Sequence, residues 1–158
     1  MRNNTKNLCL CALIAAIYVI LTWLSALFGL SSGAIQVRFS EMLCILPMFT
    51  PAAIPGLTLG CLIANFLSGC VVVDVIFGAF ATFLGALGTY FFRKQKYLAF
   101  LPPIISNAVI VPLVLKFAYG IGDAYWFLVF TVGIGELVSV GVFGFLLHRA
   151  LENKKFLD

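Results

Sequence analysis

The chain has 158 residues, of which 63% are hydrophobic and 10% charged, and its mean hydropathy is +1.12. One small soluble domain cannot hide so much apolar surface, which excludes a water-soluble globular protein and makes lipid the solvent. The formal net charge of +4 then reports membrane topology and contact with anionic lipid head groups, and calls for no nucleic-acid partner.

An α-helix needs roughly 20 apolar residues to cross a hydrocarbon core of about 30 Å. The first such stretch is residues 8–30. It is longer than the apolar region of a signal peptide and no small-residue cleavage site follows, so a cleaved leader is not expected. Ala12 and Ala16 put two small side chains on one face of this helix, a spacing that lets another helix approach closely.

Next comes GAIQVRFSEML, residues 33–43, which gathers Gln36, Arg38, Ser40 and Glu41 in a chain short of polar groups. Arg38 and Glu41 are three residues apart and can pair across one helical turn. The competing account makes this junction the wall of an outward-facing pocket.

Residues 42–69 are too long for one span and carry Pro47, Pro51 and Pro55. Proline removes a backbone donor and pushes the preceding residue out of α geometry. The expectation is two short helices, 41–50 and 55–69, joined by a tight turn. Within the second, Gly56 and Gly60 repeat the small-residue spacing, and Asn65 is an amide at membrane depth.

Further spans are read at 71–92, 98–117 and 124–147. Asp74 opens the first of these and can either cap its helix start or face a ligand; Gly78, Gly85 and Gly88 thin the same helix. Asn107 lies within the next span, where an amide serves equally as helix glue or as a ligand contact. Lys116 is read as snorkelling to the outer interface, and Tyr119, Tyr125 and Trp126 as an aromatic belt from which one ring can stack on a ligand. Glu136 sits in the middle of the last span, in TVGIGELVSV, with Gly133 and Ser139 on its face. A carboxylate there is costly, by about 2.5–3.5 kcal/mol on insertion scales, so it either pairs with a neighbouring helix or contacts a ligand.

The whole is one integral membrane domain, residues 1–158, all-α, with six transmembrane helices and both termini cytoplasmic. That topology puts Arg2, Lys6, Arg93, Lys94, Lys96, Arg149, Lys154 and Lys155 inside and only Arg38 and Lys116 outside. A five-span alternative moves a single basic residue more to the outside, so the prolines decide between them. Cys9, Cys11, Cys44, Cys61 and Cys70 are odd in number and mostly intrahelical, which favours packing over a metal site.

Taken together, AxxxA in the first helix, QxRxSE before the second, PAAIPGLTLGCLIAN across the third, DVIFGAFAT opening the fourth and GELVSV in the sixth resemble the QueT family. These are substrate-binding S-components of energy-coupling-factor (ECF) transporters. The resemblance runs from Ala12 to Phe143. It implies import of a queuosine precursor or salvage base, a 7-deazaguanine such as 7-aminomethyl-7-deazaguanine or queuine, powered by a membrane scaffold and two ATP-hydrolysing partner subunits, at the cell membrane. No cofactor is implied. The chain carries no G-x-x-x-x-G-K-[ST] phosphate loop, in keeping with ATP hydrolysis by a partner.

The resemblance further implies that Ala12 and Ala16 face the scaffold and that Gln36, Arg38 and Glu41 form lid and wall. The guanine-like edge offers two parallel donors that a carboxylate can accept together. Glu136 and Asn107 are the candidates for that edge, and Glu41 or Asp74 for a cationic substituent, with Asn65 as a further candidate. Two rivals come from other classes. An intramembrane enzyme would need a nucleophile and base or a metal motif, and neither H-E-x-x-H nor G-x-S-x-G occurs. A small proton-coupled carrier or channel would also use acids such as Glu136, and an S-component for another vitamin or nucleobase would share the same architecture.

Overall fold

The computed structural model describes residues 2–30 and 36–152. Gly33, Ala34 and Ile35 of the polar junction, and Lys154 and Lys155 of the charge argument, lie outside the described residues. The secondary structure of the described residues is helical: α1 (Arg2–Leu27), a 3-10 helix (Phe39–Met48), α2 (Ala53–Leu67), α3 (Val72–Phe91), a short 3-10 turn (Leu98–Phe100) running into α4 (Leu101–Phe117), and a rod made of α5 (Tyr125–Glu136), a π-helix (Leu137–Gly144) and α6 (Phe145–Glu152).

Four helices are long and apolar enough to cross a membrane: Asn4–Leu27, Val72–Phe91, Leu98–Phe117 and Tyr125–Glu152. The two segments between the first and second of these are shorter. Ten residues of 3-10 helix rise about 20 Å, and the 15 residues of α2 about 22 Å, each less than the hydrocarbon thickness. Six helical rods are therefore present among the described residues, and four have spanning length.

Of the three prolines in this region, Pro47 lies inside the 3-10 helix, and the other two sit where their chemistry is harmless. Pro51 lies in the turn between the 3-10 helix and α2, and Pro55 in the first turn of α2, where a missing N–H breaks no intrahelical bond. The expected boundaries 71–92 and 98–117 agree with the observed ones within a residue. The last rod runs on to Glu152 rather than ending at 147, and α1 begins at Arg2 because its polar first turns continue the helix that residue 8 only joins.

Consecutive helices pack as neighbours, α1 on α2, α2 on α3, α3 on α4 and α4 on α5, while the 3-10 helix touches α1, α2, α3, α6 and the π-helix. It is the centre of the bundle, with Ser40, Glu41, Leu43, Cys44, Ile45, Leu46 and Pro47 all buried. The α1–α2 contact depends on Gly60, where an added Cβ would stand 2.8 Å from Tyr18 Cβ and 3.1 Å from the Ala15 backbone. The Gly56/Gly60 face is thus spent inside this chain, as small residues at a helix crossing allow. Large apolar side chains such as Ile20, Phe66, Val72, Phe91 and Phe130 point outward, the arrangement a lipid solvent favours.

Candidate functional site

The polar junction is pinned before it reaches the 3-10 helix. Val37 N–H donates to the Leu30 carbonyl at 2.9 Å, Arg38 N–H to Ser139 Oγ at 3.2 Å and Phe39 N–H to Ser25 Oγ at 2.7 Å. Ser25 in turn donates to the Leu21 carbonyl at 2.9 Å, so one hydroxyl satisfies both its donor and an acceptor lone pair. The carbonyl oxygen of Gln36 rests on Gly135 so closely that no side chain fits there.

Glu41 follows, buried, in the first turn of the 3-10 helix. Tyr18 Oη donates to its Oε1, Cys44 Sγ to its Oε2 at 3.2 Å, and Asn107 Nδ2 to the same oxygen at 3.3 Å. Arg38 turns the other way: its Nη1 donates to Asn65 Oδ1 at 3.3 Å. The Arg38–Glu41 ion pair that the sequence left open as the alternative to a pocket wall does not form among the described residues. Arg38 precedes the helix in an extended conformation, φ −111° and ψ 116°, so the one-turn geometry that brings i and i+3 together does not apply.

Asp74, also buried, makes no cap to the start of α3. Its Oδ2 accepts from Tyr119 Oη at 2.8 Å. Partial burial, then the bond to the Asp74 carboxylate, push the Tyr119 phenol above its usual range, which keeps it a donor at neutral pH.

Glu136 ends α5 where the π-helix begins, a helix form frequent at functional sites. It is buried beside Glu41, Asn107 and Arg38, and its Oε2 has no hydrogen-bond partner. Buried polar atoms without partners are uncommon and costly, about 1–3 kcal/mol each, so this oxygen is the most conspicuous acceptor in the bundle.

These side chains enclose one cavity of about 30 Å³, lined by Gln36, Arg38, Glu41, Asp74, Asn107 and Glu136 together with Cys61, Gly78, Thr82, Val111 and Val132. Six of the seven residues expected to bind substrate meet there. The seventh, Asn65, stands behind Arg38 as its acceptor. Three carboxylates face one guanidinium across this space. No aromatic ring lines it among the described residues, and none of the three expected belt residues serves as a stacking plate: Tyr119 is bonded to Asp74, Tyr125 Oη donates to the Val109 carbonyl at 3.1 Å, and Trp126 is exposed. Among the described residues, no three His, Cys, Asp or Glu side chains stand together as a metal site would need.

Ala12 and Ala16 are exposed on α1, opposite the inward face made by Cys11, Ile14, Ala15 and Tyr18. Sequence reasoning passed over Tyr18, Ser25, Cys61 and Thr82. A signal was available: Tyr18, Thr22 and Ser25 repeat at i, i+4 and i+7 in the apolar stretch that follows Asn7, and Asp74, Gly78 and Thr82 at i, i+4 and i+8 in α3, each tracing one inward face.

The family model described as QueT transporter matches residues 8–153. A curated protein of Lactococcus lactis subsp. cremoris (strain MG1363), the "Queuosine precursor transporter QueT", is 33% identical over 162 aligned positions, covering 94% of this chain and 94% of its own. No solved structure matches. Family and relative are transporters, not enzymes, which agrees with several apolar helices of spanning length around a polar interior. A helical, multi-pass bundle with that interior, matched over nearly all its length, belongs to the QueT transporter family.

Proposed function

We propose that this chain is the substrate-binding subunit of an ECF-type importer in the cell membrane, capturing a queuosine precursor of the 7-deazaguanine class for ATP-driven uptake by a membrane scaffold and two ATPase partners. The chain crosses the membrane six times with both termini inside, the 3-10 helix and α2 acting as two short, tilted or partly embedded passes. The relative named for queuosine precursors supports the ligand class. The observation that carries the reading is the unpartnered Glu136 Oε2 in a cavity walled by Arg38, Asn107, Asp74 and Gln36.

The chemistry follows from what each group has left to offer. Glu136 accepts the N1–H and exocyclic amine of the base edge as a charge-assisted pair. Asn107 has committed an amide proton to Glu41, so the base carbonyl is better met by Arg38, which keeps most of its five N–H donors. Glu41, already accepting from three groups, orients the site rather than reading the ligand.

Calorimetry of the purified protein against 7-deazaguanine, 7-aminomethyl-7-deazaguanine, queuine, guanine and a panel of vitamins tests this. One deazaguanine bound per chain, with no ion flux through vesicles holding the protein alone, is the expected result. Binding of a vitamin and no deazaguanine would move the chain to another S-component specificity, and ion flux without binding would make it a channel.

A further inference from the structure

A second cavity, of about 100 Å³, adjoins the first. The two share Gln36 and Val132 as a common wall. The second is otherwise lined by Leu115, Asp123, Phe127 and Thr131, among others, at the end of the bundle where the α4–α5 connection lies. The inner cavity, about 30 Å³, holds one or two waters, far less than a bicyclic base with a substituent requires. The backbone of Gln36 is held on Gly135 and its neighbours Val37 and Arg38 are bonded in place. What can turn aside to join the two spaces is the Gln36 side chain.

The outer cavity has a definite polarity. Thr131 spends its hydroxyl proton on the Leu128 carbonyl at 3.1 Å, so toward a ligand it can only accept. Asp123 also only accepts when ionised. Phe127 and Leu115 supply apolar walls. A group that presents donors at the end of a short carbon arm suits this lining, and one that presents only acceptors does not.

We propose that the ligand site is bipartite: the base turns its hydrogen-bonding edge into the inner cavity at Glu136, and the rest of the ring extends with its substituent into the outer cavity, where an amine- or hydroxyl-bearing arm donates to Asp123 and Thr131, with the Gln36 side chain as the movable partition. This rests on the deazaguanine reading above. The inner carboxylates then recognise a nucleobase edge common to several ligands, and the outer cavity decides which 7-substituent is preferred.

The test compares bare 7-deazaguanine with its 7-aminomethyl derivative by calorimetry, on the parent chain and on Asp123→Asn and Asp123→Lys. Asp123 is exposed on a connection, so neither change threatens the fold. The ratio of the two affinities should fall roughly tenfold in Asp123→Asn, the scale of one charge-assisted hydrogen bond, and further in Asp123→Lys. A ratio unchanged within twofold in both variants overturns the outer subsite while leaving the base reading intact. Failure of the parent chain to bind either compound instead removes the deazaguanine reading, and this subsite with it.

Discussion

Gln36 lays its carbonyl oxygen directly on Gly135, one residue before Glu136. The contact couples the polar junction to the helix that carries the unpartnered Glu136 Oε2. Gly135→Ala would gain up to about 1 kcal/mol of helix propensity, yet its Cβ would meet backbone that cannot yield, at about 1–3 kcal/mol for overpacking. The clash wins. Gly135→Ala should lower thermal stability in detergent and weaken ligand binding. Gly133→Ala, where the nearest atom is Ala108 Cβ at 3.8 Å, should keep affinity and hold or raise the melting temperature. Equal behaviour of the two variants would mean that the junction does not rely on this seat.

Glu136→Gln replaces a charged acceptor with an amide offering one acceptor oxygen. A bond to a charged group is worth roughly 1.5–3 kcal/mol, so affinity for a deazaguanine should drop about tenfold to hundredfold. Stability should hold, because Oε2 has no partner to lose. Unchanged affinity in calorimetry would make Glu136 a structural carboxylate.

Tyr18→Phe probes the opposite kind of acid. It strips one of the three donors from Glu41 in a fully buried place, a loss of about 1–3 kcal/mol in stability. The melting temperature should fall more than in Glu136→Gln, and affinity less. The reverse ordering would assign ligand reading to Glu41.

Arg38 and Glu41 serve different neighbours, Asn65 on one side and Tyr18, Cys44 and Asn107 on the other. Reversing both, Arg38→Glu with Glu41→Arg, should therefore not rescue what either single change loses. A double-mutant cycle on binding would show recovery only if the two formed a pair.

Ala12→Trp and Ala16→Trp add bulk to a face of α1 that points away from the bundle. Ligand affinity should stay near the parent value, while cellular uptake and co-purification with the proposed scaffold and ATPases should be lost, since a close helix contact cannot admit the ring. Normal transport by both variants would place the partner surface elsewhere.

By itself the sequence determined the solvent, the helices and most of the cast. Apolar composition required lipid, proline spacing marked the turn before α2, and a carboxylate too costly to leave idle in a span singled out Glu136. Those are local properties, legible because period, length and desolvation act on each segment alone. Tertiary structure decided the partnerships. Arg38 and Glu41 are three residues apart, yet an extended residue before a 3-10 helix sends them to different helices. Gly56 and Gly60 match the spacing of Ala12 and Ala16, yet one pair packs inside and the other faces out. Tyr18 meets Glu41 across 23 residues of chain, a closeness that no window of sequence encodes. Which acid is satisfied and which is left open depends on donors brought from α1 and α4, and only the packed bundle brings them.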